Sequence, residues 1–258
     1  MADDKDDRSW AHGGRPWGDL RPTLSASWHY VLAACALVAF WVVLEHLDSA
    51  GLARFDSAVY TELVFRVRRP ALTAVMEQLS NLATPAVLLT VLLAIAAFAP
   101  GRRPGLAAAI NLAGALALNV VLKQVVQRPR PDGFRLVPAS GYSFPSGHSM
   151  VAMAFFGLCI WMVWHHERDR RLRWAWCVLF ALIIAGVGAS RVYLGVHYAS
   201  DVLAGFCVSL AWLSVYTRLV CPLLLREPAS EGDPDQVRRR RTDRHGDREA
   251  EGRRDGGR

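Results

Sequence analysis

The sequence predicts an all-α fold: an integral membrane bundle of about six transmembrane helices with an extracytoplasmic active site. Three observations lead there. Of the 258 residues, 52% are hydrophobic, more than a water-soluble domain of this size needs when it must also clothe a polar surface. The apolar residues fall into long runs separated by short charged connections, the pattern of a chain that crosses a bilayer repeatedly. Arginines crowd those connections and the C-terminal segment rather than one amphipathic face. The net charge of +7 therefore reads as membrane orientation, and no nucleic-acid partner is expected.

Residues 1–27 mix charges with Gly and Pro and read as a flexible cytosolic leader. No cleavable signal is apparent, because the first apolar run begins only near Trp28, after that polar stretch. Segment 28–47 is therefore a retained first span, with Trp28, Tyr30 and Trp41 suited to the bilayer interfaces. Segment 51–82 is different: Arg54, Arg66, Arg68 and Arg69 stand among spaced apolar residues and Pro70 interrupts it. It reads as an amphipathic segment at the membrane surface. An aliphatic run at 85–99 is closed by a Pro- and Gly-rich turn at 100–105 and followed by 106–126, with Lys123 near its far end. A loop rich in Pro and Gly leads to Ser149, and the runs 150–164, 172–189 and 202–225 complete the count.

The chain thus divides into the leader, a membrane domain at 28–225, and a basic tail at 226–258 that is expected to be disordered and cytosolic. An arginine run at 238–241 suits anionic lipid headgroups. Five cysteines sit in or at the ends of apolar runs without a C-x-x-C pair, so they read as small packing residues. His165, His166 and Glu167 read as a solvated loop rather than a metal site. The pattern assigns no oligomeric state.

An even number of spans places both termini on one side, together with the arginines of 100–105 and 165–173, and the positive-inside rule makes that side cytosolic. The arginines of 51–82 run against the rule. Three polar clusters then share the opposite face, each at the end of a span: Lys123 through Arg130-Pro131, Pro145-Ser146-Gly147-His148, and Ser190-Arg191 through His197 and Asp201. Together they supply what phosphoryl transfer needs. Lys123, Arg130 and Arg191 are cations, and the two arginines offer forked donors to phosphoryl oxygens. Ser146-Gly147-His148 opens a helix whose free N–H groups favour an anion. His197 and Asp201, spaced i, i+4, lie on one helical face. There a carboxylate fixes the ring tautomer and makes the other nitrogen a better nucleophile. His148 is then free to protonate the leaving oxygen. Taken singly, Lys123 and Arg130 read as cations snorkelling to an interface and Ser146 as an ordinary N-cap. It is their conjunction on one face that points to chemistry.

These residues resemble the type-two phosphatidic acid phosphatase superfamily, which includes lipid phosphate phosphatases and bacterial undecaprenyl-diphosphate phosphatases. Its signature, K-x6-RP, PSGH and SR-x5-H-x3-D, is matched by Lys123 to Arg130-Pro131, by Pro145 to His148, and by Ser190-Arg191, His197 and Asp201. In the run Arg128-Pro129-Arg130-Pro131 the six-residue gap selects Arg130 over Arg128. The resemblance implies phosphate binding by Lys123, Arg130, Arg191, Ser146 and the Gly147 backbone. It also implies a His197 nucleophile, a His148 acid, an orienting Asp201, and no metal or other cofactor. The implied substrate is a lipid phosphate or diphosphate presented by the bilayer. Undecaprenyl diphosphate is preferred, with phosphatidic acid or phosphatidylglycerol phosphate as rivals. A non-catalytic transporter or scaffold with a vestigial phosphate site is the reading from another class.

Overall fold

The computed structural model describes residues 27–98 and 103–225. The expected leader, the tail with its arginine run, and the first half of the turn at 100–105 lie outside them; residues 103–105 open a helix. The described chain is helical and contains no strand. In order it forms α1 (Ser27–Glu45), α2 (Ala50–Tyr60) continuing into a π-helical turn (Thr61–Arg66), α3 (Pro70–Asn81), α4 (Pro85–Phe98), α5 (Arg103–Val126), α6 (Gly147–His166), α7 (Arg170–Tyr193), α8 (Ala199–Leu219) and a short α9 (Cys221–Leu225).

Among the described residues, five helices are long and apolar enough to cross a membrane: α1, α5, α6, α7 and α8. Large apolar side chains stand bare on their outer surfaces, among them Val38 at 63% exposure, Trp41 at 62% and Leu182 at 64%. Water would penalise such a surface, whereas hydrocarbon accepts it. The expected sixth span differs from the sequence reading. The run at 85–99 yields only the 14-residue α4, short for a crossing by itself. It joins α3 across a 56° bend, and only the bent pair together is long enough to count as a span. Thr84 and Pro85 make the break: Thr84 Oγ1 donates to Asn81 O at 2.7 Å, turning the chain before Pro85 restarts a helix. Segment 51–82 is correspondingly not one surface element. Its first half forms α2 and the π-helical turn, and its second half, α3, packs along α7.

Helix α8 is the hub, in contact with α1, α6, α7 and α5. Apolar burial drives little association inside a bilayer, so packing and interhelical hydrogen bonds matter more. Trp212 Nε1 on α8 donates to Asn111 Oδ1 on α5 at 3.0 Å, and Asn111 Nδ2 donates to Ala154 O on α6 at 2.7 Å. Tyr216 OH donates to Ala107 O at 2.6 Å. Each such bond contributes about 0.6 kcal/mol. The five cysteines are free thiols within these helices.

Local sequence explains where the helices begin. Asp169 Oδ1 accepts from Arg171 N and Leu172 N to start α7. At α8, Asp201 Oδ2 reaches back to accept from Tyr198 N at 2.9 Å. Between α7 and α8 the chain turns at Gly195, whose φ of +74° suits glycine. A side chain there would also lie 2.1 Å from Phe134 O, so the turn presses directly on the loop that follows α5.

Candidate active site

Three short sequence events bring the functional side chains to one end of the bundle. Helix α5 ends at Gln127, which takes φ +52° while its N–H still bonds Lys123 O at 3.1 Å. Beyond it, Arg128 and Arg130 each precede a proline, which favours extended backbone. Across Pro129 the two side chains nevertheless part: Arg128 turns to α2 and α8, Arg130 to the turn before α8. The loop then returns through a cis Phe144–Pro145 bond to Ser146, the N-cap of α6.

Helix α8 lies so close to this cap that a Cβ on Gly205 would stand 2.9 Å from Ser146 O. Asn119 of α5 holds the same turn by donating to Pro145 O at 3.1 Å. Ser146 Oγ accepts from Ser149 Oγ at 2.9 Å and, over a long 3.5 Å, from Ser149 N. Both contacts use it as acceptor, which leaves its own proton uncommitted. The bare N-cap reading of Ser146 is therefore correct as far as it goes, and a free donor remains.

His197 is buried at 2% exposure in the turn between α7 and α8. Its Nε2 lies 3.3 Å from Arg130 Nη1. Arginine can only donate, so this contact makes Nε2 the acceptor and leaves the ring proton on Nδ1. Nδ1 faces Asp201 Oδ2 at 3.4 Å. That is an electrostatic pairing without the alignment of a formal hydrogen bond, a distance that tightens if the ring gains positive character. Burial pushes the His197 pKa down to about 4 against the pull of Asp201, and Arg130 and Arg191 add to the depression. The ring is thus neutral at neutral pH, with its lone pair on Nε2.

The cations arrange themselves around that lone pair. Arg130 is braced by backbone carbonyls: Nε donates to Gly141 O at 3.0 Å, Nη2 to Ser140 O at 2.9 Å, and Nη1 to Val196 O at 2.8 Å. Burial and, in a smaller part, Arg135 lower its pKa in spite of Asp201. Lys123 Nζ donates to Tyr142 O at 2.6 Å, leaving two of its three protons for an anion. Arg191, near the end of α7, donates through Nη1 to Ser80 Oγ on α3, while its buried Nε has no partner. A buried, unpaired guanidinium N–H is costly unless an acceptor arrives. His148, half-buried at the second position of α6, lies within charge–charge range of Arg191, His197, Lys123 and Arg130. All eight residues singled out from the sequence are thus placed around one end of α5–α8. Ser190, by contrast, only bonds back to Val187 O at 2.7 Å within its own helix.

Three residues here escaped the sequence reading. Arg128 Nη1 donates to Asp201 Oδ1 at 2.6 Å, and Nη2 donates to Asp56 Oδ2 at 2.9 Å. Asp56, on α2, also accepts from Ser200 N at 2.8 Å. Ser80 holds Arg191. The segment 51–82 also carries Glu62 and Glu77, so nothing in the sequence marked Asp56 out for the first pair. Nor did anything mark Ser80. Among the described residues, no three of His, Cys, Asp and Glu are grouped to hold a metal ion.

The model of the PAP2 superfamily matches residues 104–222, which include every one of the eight. Phosphatidylglycerophosphatase B of Bacillus subtilis is 30% identical over 182 residues, covering 68% of this chain and 88% of that protein. Two other relatives are matched over about half their length. Lipid A 1-phosphatase of Rhizobium johnstonii is 35% identical over 41% of this chain and 44% of its own. Undecaprenyl-diphosphatase of Sulfolobus acidocaldarius is 31% identical over 44% and 53%. The crystal structure of a transmembrane PAP2-type phosphatidylglycerolphosphate phosphatase from Bacillus subtilis superposes with a TM-score of 0.66 at 29% identity. It covers 72% of this chain and 94% of that one. The chain belongs to the PAP2 superfamily of phosphatases and has the fold of a membrane-embedded member.

Proposed function

We propose that this protein hydrolyses the phosphate of a membrane lipid through a phosphohistidine on His197. The observation that carries the reading is the Nε2 lone pair, aimed at Arg130 while Nδ1 faces Asp201. In the first step Nε2 attacks phosphorus, an N–P bond forms and the P–O bond to the lipid breaks. His148 gives its proton to the leaving oxygen; the negative charge of the incoming phosphate favours the protonated ring for that task. The Nδ1 proton stays in place, and Asp201 balances the charge that develops on the ring. Lys123, Arg130, Arg191, the Ser146 hydroxyl and the N–H groups opening α6 take the phosphoryl oxygens. In the second step His148 removes a proton from water, which attacks phosphorus. The N–P bond breaks, its electrons return to Nε2, and inorganic phosphate leaves.

For the lipid, phosphatidylglycerophosphate now ranks ahead of undecaprenyl diphosphate. The relative and the solved structure named for the former are matched over most of their length, and the one named for the latter over about half. The test is phosphate release by the purified protein in detergent with a chelator present, on phosphatidylglycerophosphate, undecaprenyl diphosphate and phosphatidic acid. Release undiminished by the chelator is expected, fastest on phosphatidylglycerophosphate. Its kcat/KM should fall as the pH drops through about 4, where His197 takes up a proton and loses its lone pair. Release that requires an added divalent metal would refute the mechanism, and faster release from undecaprenyl diphosphate would reverse the ranking.

We further propose that this end of the bundle faces away from the cytosol. Arg168, Arg170, Arg171 and Arg173 cluster at the α6–α7 connection, at the opposite end of these helices from His148 and Arg191, and the positive-inside rule puts them in the cytosol. Ser140 is exposed beside the site. A Ser140→Cys variant in intact cells should react with a membrane-impermeant thiol reagent. Labelling only after the membrane is opened would invert the orientation.

A further inference from the structure

The arginine that the signature passes over is bound to the catalytic carboxylate more tightly than His197 is. Arg128 Nη1 lies 2.6 Å from Asp201 Oδ1 and 2.8 Å from Ser200 Oγ, and Nη2 lies 2.9 Å from Asp56 Oδ2. Its guanidinium sits 4.1 Å from the centre of the Tyr198 ring, a cation–π contact that fixes the plane of the fork. Both carboxylates are buried, at 2% exposure for Asp56 and 0% for Asp201. Asp56 is itself clamped, accepting from Ser200 N at 2.8 Å and Ser200 Oγ at 2.6 Å. None of these donors points at the phosphate seat. That separates Arg128 from Arg130, whose Nη1 reaches His197 Nε2.

We propose that Arg128, backed by Asp56, is a positioning residue that fixes the orientation of the Asp201 carboxylate and, through it, the tautomer and charge of His197. The inference rests on the phosphohistidine reading above. Asp201 Oδ1 is held by Arg128 and Oδ2 by Tyr198 N, so the carboxylate cannot rotate and Oδ2 stays beside Nδ1 at 3.4 Å. Arg128 also draws on the negative charge that Asp201 offers to the ring. Asp56 limits that draw by sharing the guanidinium between two carboxylates. Burial works against the Arg128 charge, yet Asp201 and Asp56 outweigh it and hold its pKa above the ordinary value. The fork is therefore a permanent cation. The α2 segment thereby belongs to the functional unit: it supplies Asp56, which no part of the signature contains.

The test uses the full chain in detergent, with kcat, KM and the acid limb of kcat/KM measured for Arg128→Lys and Arg128→Gln. Lysine keeps the charge and loses the planar fork, so kcat is expected to fall about 10- to 100-fold, the range seen when a supporting outer contact is removed. KM should stay within about two-fold of the wild type and the acid limb should not move. Glutamine also removes the charge, which should raise the acid limb by about one pH unit. The other charged groups around His197, namely Asp201 on α8, Arg130 in the preceding loop, Arg191 on α7 and His148 on α6, are unchanged in both variants. A purely structural role would lower yield or thermal stability without displacing the limb.

A rise in KM of ten-fold or more at unchanged kcat would place Arg128 at the phosphate instead, and unchanged kcat in both variants would also overturn the assignment. If the glutamine variant does not fold, the kcat of the lysine variant decides alone. Titration of the His197 ring by 15N NMR reads the same coupling without turnover. A wild type that releases no phosphate would therefore refute the phosphatase reading, while an unmoved His197 titration in Arg128→Gln would refute this one.

Discussion

His197→Ala is expected to abolish phosphate release, with a fall in kcat of about 10⁴-fold or more. The size follows from what is lost. The ring nitrogen that contacts Arg130 is gone, so the two-step route through an N–P bond on His197 closes and direct attack by water on a bound phosphate remains. That residual path still has the cations and the opening N–H groups of α6 to stabilise charge. The variant should consequently bind the lipid nearly as well as the wild type. Removing a neutral imidazole from beside Arg130 and Arg191 adds no like charge to the pocket. Trapping with a 32P-labelled substrate under an alkaline detergent quench checks this: the wild type should carry a base-stable, acid-labile label and the variant none. Label retained in the alanine variant would move the nucleophile elsewhere.

Asp201→Asn is expected to be nearly as damaging, by about 10³- to 10⁴-fold in kcat, for a different reason. Both oxygens of Asp201 meet donors: Arg128 at Oδ1, and Tyr198 N with the His197 ring at Oδ2. An amide has one oxygen, and the charge-assisted bond to Arg128 takes it. The amide NH2 then faces Nδ1, draws the ring lone pair to that nitrogen and moves the proton onto Nε2. The nucleophile is present but has its hydrogen pointing at the phosphorus. Binding of an inert phosphonate analogue should be within a few-fold of the wild type, and the 15N signals of His197 should report the exchanged tautomer. Wild-type kcat in this variant would show that Asp201 serves only to cap α8.

The legible part of this molecule was whatever is local in sequence. Spans α1, α5, α6, α7 and α8 announce themselves by length and apolarity. The eight candidate site residues stand in three short strings whose internal spacing fits one helix end each. What stayed hidden depends on partners far away along the chain. The α3–α4 bend is invisible in the apolar run because its cause is a capping turn at Thr84 together with packing of α3 on α7. Ser80 reads as any helix serine until Arg191, 111 residues on, arrives beside it. Arg128 was set aside by a counting rule, which says nothing of where its side chain goes in the fold. Asp56 does not stand apart from Glu62 and Glu77 in the same segment, and its partners lie 72 and 144 residues away.

Those separations bear on how the protein comes into being. Residue 56 emerges early in synthesis and must wait in or beside the bilayer, as a carboxylate without its guanidinium, until α5 delivers Arg128. It then waits for the chain to reach Ser200 before its second oxygen is satisfied. Contacts of such long range close late, because the loop entropy they cost must be met first. The final piece, Asp201, arrives with the last long helix. On the proposed mechanism, a nascent chain that has not reached α8 lacks the Asp201 partner of His197, so phosphatase activity is expected only after α8 has joined the bundle.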